Sequence, residues 1–221
     1  VVLDSTKSCE ITAPVEIEGV VFTHEKNLSF SNLKKYAEEK YNFDKDIERK
    51  DYGNDDFASC LLVNSDAKLK NVAVLDSLTY GITLAKTKGT IEDSIISRCW
   101  GNCLYCVEKT EATVQETKII NSRCTGVSAK ETSNPSIKAC EICGHLLSYG
   151  ILVIDQAKGT YKNCHIHDNC KGLSILGSAT PSFEDCKIHD NKTEGCPGVV
   201  VEESSNPSLK ACEIYGHLGN G

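Results

Sequence analysis

The chain has 221 residues, of which 40% are hydrophobic, 25% charged and only 6% aromatic, so we expect a folded protein with a core of aliphatic side chains and cysteine. Its formal net charge of −7 argues against a nucleic-acid partner, because phosphate binding needs a basic face. No apolar run approaches the roughly 20 residues that span a bilayer, so no membrane partner is predicted, and because methionine is missing we expect a fragment of a longer protein.

The first predicted elements are two short strands, at residues 7–11 and 19–22, which match the later segments 138–142 and 198–201. Between them and the next strand lies an excess of chain at about residues 31–50. There Leu33, Tyr36, Ala37 and Tyr41 recur at helical spacing after Ser31, a suitable N-cap. We therefore predict an amphipathic helix that is inserted between strands and packs on the outside of the domain.

From residue 67 onward the sequence repeats. Seven segments of eight residues begin with Gly, Pro or Ala and end in Ile or Val. The first residue is followed by a polar residue, an apolar residue, usually a charged residue, and then a small residue or one that favours turns. The Ile/Val column falls at residues 74, 96, 119, 142, 166, 188 and 214, with spacings of 22 to 26 residues. A short apolar strand precedes most copies. Alternation with period 2, and Gly or Pro in every copy, argue against paired helices, and a propeller blade needs about 40 residues.

The sequence therefore predicts an all-β protein, a right-handed single-stranded parallel β-helix of about eight coils that forms one domain over residues 1–221. Equivalent residues of successive coils then stack about 4.8 Å apart. We expect an inward apolar column at residues 69, 91, 114, 137, 161, 183 and 209. A second inward column ends in Cys140, Cys164, Cys186 and Cys212, which we interpret as reduced structural thiols and hence as a sign of a cytoplasmic protein.

Two groups of residues are candidate metal sites. In register, His167 stacks on His189 and Asp168 on Asp190, a spacing that could hold a metal, although a strand that exits into an Asn/Asp turn explains the same pattern. The thiols at positions 99, 103, 106 and 124 lack paired C-x2-C spacing, and small residues accumulate at coil corners. We therefore predict no metal site and no cofactor.

Parallel β-helices often carry polysaccharide lyases and hydrolases, which need clustered carboxylates. The exposed acids here recur from repeat to repeat, and no repeat is chemically singular. We therefore predict that the chain is not an enzyme and has no catalytic residues. The candidate binding residues are instead an aromatic cluster, two arginines about one coil apart, and the stacked histidines: Trp100, Tyr105, Tyr149, Arg98, Arg123, His167 and His189. Ordinary loop packing would explain the aromatic cluster equally well.

The pattern Asn-Pro-Ser-apolar-Lys-x-Cys-x-Ile, followed by Gly and apolar residues, occurs at 134–154 and again at 206–214. It resembles the intracellular β-helix repeats of the carbohydrate-binding-and-sugar-hydrolase type, found in F-box ubiquitin-ligase adaptors and SHC SH2-domain-binding proteins. The resemblance covers nearly the whole chain, best over 66–221, and residues 19–25 and the helical insertion favour the SHC-binding type. It implies a cytoplasmic, non-catalytic scaffold that recruits protein partners, with a link to cell division. A carbohydrate-binding module, or a polysaccharide lyase or hydrolase, remains the alternative.

Overall fold

The computed structural model describes residues 8–23, 33–39, 59–192 and 197–218. They contain 24 short strands and one helix, numbered here in chain order. The first sheet consists of β1 (Cys9–Ile11), β4 (Ser59–Val63), β7 (Tyr80–Ala85), β10 (Leu104–Val107), β13 (Val127–Ala129), β16 (Tyr149–Val153), β19 (Lys171–Ile175) and β22 (Val199–Val201). The second sheet consists of β2 (Glu16–Glu18), β5 (Lys68–Lys70), β8 (Thr90–Glu92), β11 (Thr113–Gln115), β14 (Ser136–Lys138), β17 (Thr160–Lys162), β20 (Ser182–Glu184) and β23 (Ser208–Lys210). The third sheet consists of β3 (Val21–Thr23), β6 (Ala73–Leu75), β9 (Ile95–Ser97), β12 (Lys118–Ile120), β15 (Glu141–Cys143), β18 (His165–His167), β21 (Lys187–His189) and β24 (Glu213–Tyr215).

Every third strand returns to the same sheet, and all the strand pairs are parallel. Each coil therefore contributes one strand to each of three sheets, and the described part of the chain forms eight coils. This confirms the predicted all-β parallel β-helix. A parallel ladder needs a crossover between paired strands, and here the other two strands of the coil supply it.

Single residues in the left-handed backbone region separate the second-sheet strand from the third-sheet strand in successive coils. Their φ angles lie between 48° and 54°, and they are Asn71, Asp93, Glu116, Ala139, Asn163, Asp185 and Ala211. One such residue turns the chain without a loop, which is why the predicted alternating stretch becomes two three-residue strands. Asn and Asp tolerate this conformation best because their side chains bond locally.

The two predicted aliphatic columns are confirmed by the strand register. Leu69, Ile91 and Val114 lie in consecutive paired positions of the second sheet, and Val74 and Ile96 do so in the third. These side chains are at most 2% exposed, and each one fully buried contributes roughly 1.5–3 kcal/mol. The second-sheet column also includes Tyr161 and Phe183, whose ring centroids lie 4.5 Å apart.

The predicted thiol column is confirmed as well. Cys140, Cys164 and Cys186 are buried, and they and Cys212 all have free thiols. Each thiol lies within 3.2–3.5 Å of the carbonyl oxygen two residues earlier. Ser94 donates to the same carbonyl position in its own coil. The position therefore selects a small donor that satisfies a carbonyl at the turn.

A second polar column, which we call the corner ladder, follows the third-sheet strands on the inside. Its members are Ser122, His145, Asn169, Asn191 and His217. The backbone N–H of each of the first four bonds the side chain of the equivalent residue one coil later, as in His145 N to Asn169 Oδ1 at 3.3 Å and Asn169 N to Asn191 Oδ1 at 3.1 Å. The column thus satisfies buried backbone groups at a corner where the sheets supply no partners.

The described residues cover only part of the predicted inserted helix. Helix α1 spans Leu33–Glu38, and the predicted cap at Ser31 and the part beyond Glu39 lie outside the described residues. Its position is as expected, because Ala37 is fully buried against Ala73 and Leu75 on the outer side of the third sheet. Among the described residues, no helix is long and apolar enough to cross a bilayer.

Candidate functional site

The outer faces of the three sheets differ in composition although the interior repeats. The second sheet presents Ser, Thr and charged side chains, as in β14 and β20. The outer face of the third sheet is apolar in β6, where helix α1 covers it, and becomes charged and histidine-rich towards β21. The first sheet is the remaining face, and its outward column alternates large apolar with small polar residues: Leu62, Thr83, Tyr105, Ser128, Leu152, Ser174 and Val200.

Aromatic rings and cations are layered along this first sheet. Tyr80 stacks on Tyr105 with 4.9 Å between ring centroids. The ammonium of Lys130 lies 5.8 Å from the Tyr105 ring, and that of Lys171 lies 5.2 Å from the Tyr149 ring. Such contacts stabilise a cation over a ring by about 0.5–1 kcal/mol at exposed sites, so they hold the lysines on this face.

The turn that leads into β16 continues the apolar surface. Leu146 is 49% and Leu147 63% exposed, and their backbone N–H groups bond Ser122 O and Arg123 O of the preceding coil. The Arg123 guanidinium in turn lies 4.7 Å from the ring centroid of Trp100. We call the outer side of the first sheet, together with this turn, the aromatic face.

The predicted binding residues separate into three groups. Tyr105, Tyr149 and Arg123 lie on the aromatic face, and Trp100 lies beneath Arg123 with only 6% of its surface exposed. Arg98 lies elsewhere, because its Nε bonds Asp76 at 2.7 Å and its guanidinium stacks on Tyr36 of helix α1. Arg98 and Arg123 therefore contact different groups although they lie about one coil apart, since Arg98 holds the helix against the third sheet.

The third group is a column on the outer side of the third sheet, which we call the outer ladder. It consists of Cys143, His167, His189 and Tyr215 in consecutive paired positions. The predicted stack of His167 on His189 is confirmed, with ring centroids 5.0 Å apart and 6° between planes, and His189 stacks likewise on Tyr215. Each histidine Nδ1 bonds the next carboxylate, at 2.8 Å to Asp168 and 2.9 Å to Asp190.

Glu141 lies beside the Cys143 end of the outer ladder. His167 Nε2 lies 3.6 Å from Glu141 Oε1, and Cys143 Sγ lies 4.0 Å from the same oxygen. Burial and the nearby carboxylates raise the pKa of the Cys143 thiol to about 12. Among the described residues these three form the only His/Cys/carboxylate group close enough to hold a metal ion. The thiols at positions 99, 103 and 106 belong to the buried core instead.

Sequence reasoning missed Tyr80, Leu146, Leu147 and the contribution of Cys143 and Glu141. Tyr80 had a usable signal, because it opens a strand in the same register as Tyr149, three coils on. Cys143 had one also, since it occupies the position of His167 one coil earlier. The exposed leucines lie in a turn outside the repeat, where no column constrains the orientation of a side chain.

Comparison with known proteins identifies the repeat. The family model described as the right-handed beta helix region matches residues 80–221. No curated protein sequence matches the chain significantly.

Proposed function

Because the chain belongs to the right-handed β-helix family, we propose that it is a non-catalytic protein-interaction module whose aromatic face binds an acidic protein segment carrying large apolar side chains. The observation that carries this proposal is the pair of exposed leucines on the same face as a stacked tyrosine pair and three cations that lie over aromatic rings. Large apolar groups on a surface mark a contact site when they adjoin one another.

Charge on the aromatic face supports an acidic partner. Arg123, Lys130 and Lys171 each lie over an aromatic ring. None of the three forms an ion pair within the ranges that the structure describes, although the chain as a whole carries a net charge of −7. Unpaired cations on a negatively charged molecule steer an acidic ligand to this face.

The exposed leucines favour a protein over a carbohydrate. A sugar ring stacks on an aromatic side chain but offers hydroxyl groups to its surroundings, which Leu146 and Leu147 could not satisfy. Apolar anchors of a peptide would bury both leucines at about 25 cal/mol per Å² of apolar surface removed from water. Tyrosine and arginine are also the residue types enriched at the centres of protein interfaces.

The state of two carboxyl groups supports a non-catalytic role. A general acid needs a pKa raised towards neutrality. Hydrogen bonds to lysine side chains instead lower the pKa of Asp168 and of Glu184. The free thiols of the interior column favour a reducing compartment such as the cytoplasm. An adaptor of the SHC-binding type, active in cell division, is the finer form of this proposal and derives from the repeat resemblance.

Peptide display on the purified chain tests the proposal. We expect selection from a random peptide library to enrich sequences with Asp or Glu beside Leu, Phe or Trp. A charge at the leucine turn, Leu147→Asp, should weaken these peptides at least about tenfold, which corresponds to about 1.4 kcal/mol. Their affinity should also fall with added salt, because exposed charges are screened.

The chain offers a matched control in Leu218, which is 66% exposed against 63% for Leu147 and lies in the last described coil. Leu218→Asp adds the same charge and should leave the peptide affinity within about twofold. Equal losses in the two variants would contradict the proposed face. Retention of an anionic polysaccharide on a glycan array, with no peptide enriched, would favour the carbohydrate-binding alternative.

A further inference from the structure

The group formed by Glu141, Cys143 and His167 has the donor set of a transition-metal site. It offers one carboxylate oxygen, one sulfur and one imidazole nitrogen, and all three ligand atoms lie within 4.8 Å of one another. Two of these separations are 3.6 Å and 4.0 Å. Ligand bonds of about 2.0–2.3 Å around a tetrahedral ion place neighbouring donors about 3.3–3.6 Å apart, so small side-chain rotations close the set.

We propose that Glu141 Oε1, Cys143 Sγ and His167 Nε2 bind one divalent transition-metal ion of the zinc class, which joins two adjacent coils on the outer face of the third sheet. Glu141 and Cys143 belong to β15 and His167 to β18. Binding replaces the thiol proton of Cys143, which is released to solvent, by a sulfur–metal bond.

The neighbours of His167 fix the orientation and the tautomer of its ring. Asp168 Oδ2 accepts the Nδ1 proton of His167 at 2.8 Å, so in the neutral ring the lone pair is on Nε2, which lies 3.6 Å from Glu141 Oε1. A carboxylate bonded to the far nitrogen is the usual support of a metal-binding histidine, because it fixes the ring and its tautomer. Lys192 pairs with Asp168 and holds that carboxylate in place.

The orientation of the Glu141 carboxylate is fixed by a lysine. Lys118 Nζ bonds Glu141 Oε2 at 3.2 Å, so the other oxygen, Oε1, faces the sulfur and the imidazole. Two of the three ligands, Glu141 and Cys143, line a cavity of about 560 Å³, which Asp168 and Glu38 of helix α1 line as well. Three protein ligands beside an open cavity leave a fourth position for water or for a group from a partner.

The next coil supplies an internal control. His189 has the same support from Asp190 at 2.9 Å, and it stacks on His167. The strand register places His165 and His167 where the first set has Glu141 and Cys143. His189 is not part of a close ligand group within the described residues, so it isolates the effect of the ligand set from that of the histidine stack.

Titration of the purified, metal-free chain with Co²⁺ tests this proposal, with absorbance and calorimetry as readouts. We expect one ion per chain, a sulfur-to-cobalt charge-transfer band and displacement by Zn²⁺. His167→Gln or Cys143→Ser should lower the affinity by at least roughly 100-fold and remove the band. Asp168→Asn should lower it by roughly 10–100-fold, whereas His189→Gln should stay within about threefold.

Thermal melting separates loss of the site from loss of the fold. Without metal, His167→Gln and His189→Gln should melt within a few degrees of the parent chain, and Zn²⁺ should raise the melting temperature of His189→Gln but not of His167→Gln. Cys170→Ser, a change at another half-buried thiol, should leave the charge-transfer band in place. A parent chain without the band, or an equal loss of affinity in the two histidine variants, would overturn the proposal. None of these variants changes a residue of the aromatic face, although Leu146 lines the same cavity as Glu141 and Cys143, so peptide binding is tested separately through Leu147→Asp.

Discussion

The corner ladder and the outer ladder run side by side along the end of the third sheet, and both contain histidine. In the corner ladder, His145 is fully buried, accepts a bond from Ser122 N at Nδ1 and bonds Ile119 O through Nε2. In the outer ladder, His167 has one nitrogen bonded to Asp168, while the other faces Glu141 and Cys143. The difference shows that the role of a histidine here depends on how many of its nitrogens the backbone occupies.

One residue in each coil keeps the two ladders apart. Residues two positions apart on a strand point to the same face, yet His167 lies outside and Asn169 inside. The residue between them, Asp168, has φ of 56° and turns the chain, as Gly144 does one coil earlier with φ of 76°. A single left-handed residue thus sets which side chain enters the corner and which stays on the surface.

The largest effect is expected from Asn169→Ala in the corner ladder. Asn169 accepts the His145 N–H at 3.3 Å and donates to Ile142 O at 3.2 Å, so the variant deprives two buried backbone groups of these partners. Each such loss costs about 1–3 kcal/mol, and we expect the free energy of unfolding to fall by about 2–6 kcal/mol in urea titration.

The outer ladder supplies the comparison for this variant. His167→Ala is expected to cost about 1 kcal/mol or less in the absence of metal, because solvent can reach the groups it leaves. If the two substitutions destabilised the chain equally, the corner ladder would not be the element that holds the corner.

Much of this architecture follows from the sequence because repetition makes each column visible several times. Ile142, Ile166 and Ile188 identify one interior column, and the recurrence of Cys140, Cys164 and Cys186 two residues before them identifies another. The apolar strand of each coil was predictable for the same reason, since packing imposes the same requirement at every turn of the solenoid.

The candidate sites were less predictable because they depend on features that do not repeat. Glu141, Cys143 and His167 differ in type, and only the distances between their side-chain atoms reveal them as one group. Arg98 illustrates the same point, because the repeat pairs it with Arg123 about one coil away, whereas the inserted helix α1 places Tyr36 over its guanidinium. The predicted extent of that helix stays a prediction, because the residues past Glu39 lie outside the described part of the chain.

The pH dependence of stability provides the second prediction. Burial lowers the pKa of His145 from 6.5 to about 3, so between these values the unfolded chain binds a proton that the folded chain does not. The stability linked to neutral His145 is therefore complete above about pH 6.5 and is lost as the pH falls towards 3, by up to about 1.4 kcal/mol per pH unit. His145→Asn, which copies the neighbouring Asn169, should flatten this slope in unfolding titrations between pH 7 and pH 4.

His189→Asn is the control for that measurement, because the ring of His189 lies on the surface and Nδ1 bonds a carboxylate. A slope that is equally steep in the parent chain and in His145→Asn would contradict the assignment of the proton to His145.

A smaller effect is expected from Gly144→Ala at the turn between the two ladders. The left-handed conformation costs a residue with a Cβ about 1–2 kcal/mol, and that Cβ would lie 2.6 Å from Asn121 Oδ1. We expect a loss of about 1–3 kcal/mol in thermal or urea unfolding. Gly19→Ala offers a matched control, because Gly19 has φ of 68° but nothing within 4 Å of the added carbon. The Gly19 variant measures the backbone cost alone. If Gly144→Ala lost no more stability than Gly19→Ala, the contact with Asn121 would contribute nothing to the effect.

The smallest effect is expected from His189→Ala in the outer ladder. The ring stacks on His167 and Tyr215 at 5.0 Å on either side, and stacked aromatic pairs contribute about 0.5–1.5 kcal/mol beyond buried area in protein interiors. On this outer face, where 19% of the His189 side chain is exposed, water replaces part of that contact, so we expect the free energy of unfolding to fall by less than about 1 kcal/mol. Removal of Tyr215 in the same background measures the coupling between the two rings in a double-mutant cycle. A loss above about 2 kcal/mol for His189→Ala alone would show that the outer ladder stabilises the fold as much as the corner ladder does. The structural role would then not be confined to the buried histidines, such as His145, on the inner side of the left-handed residue.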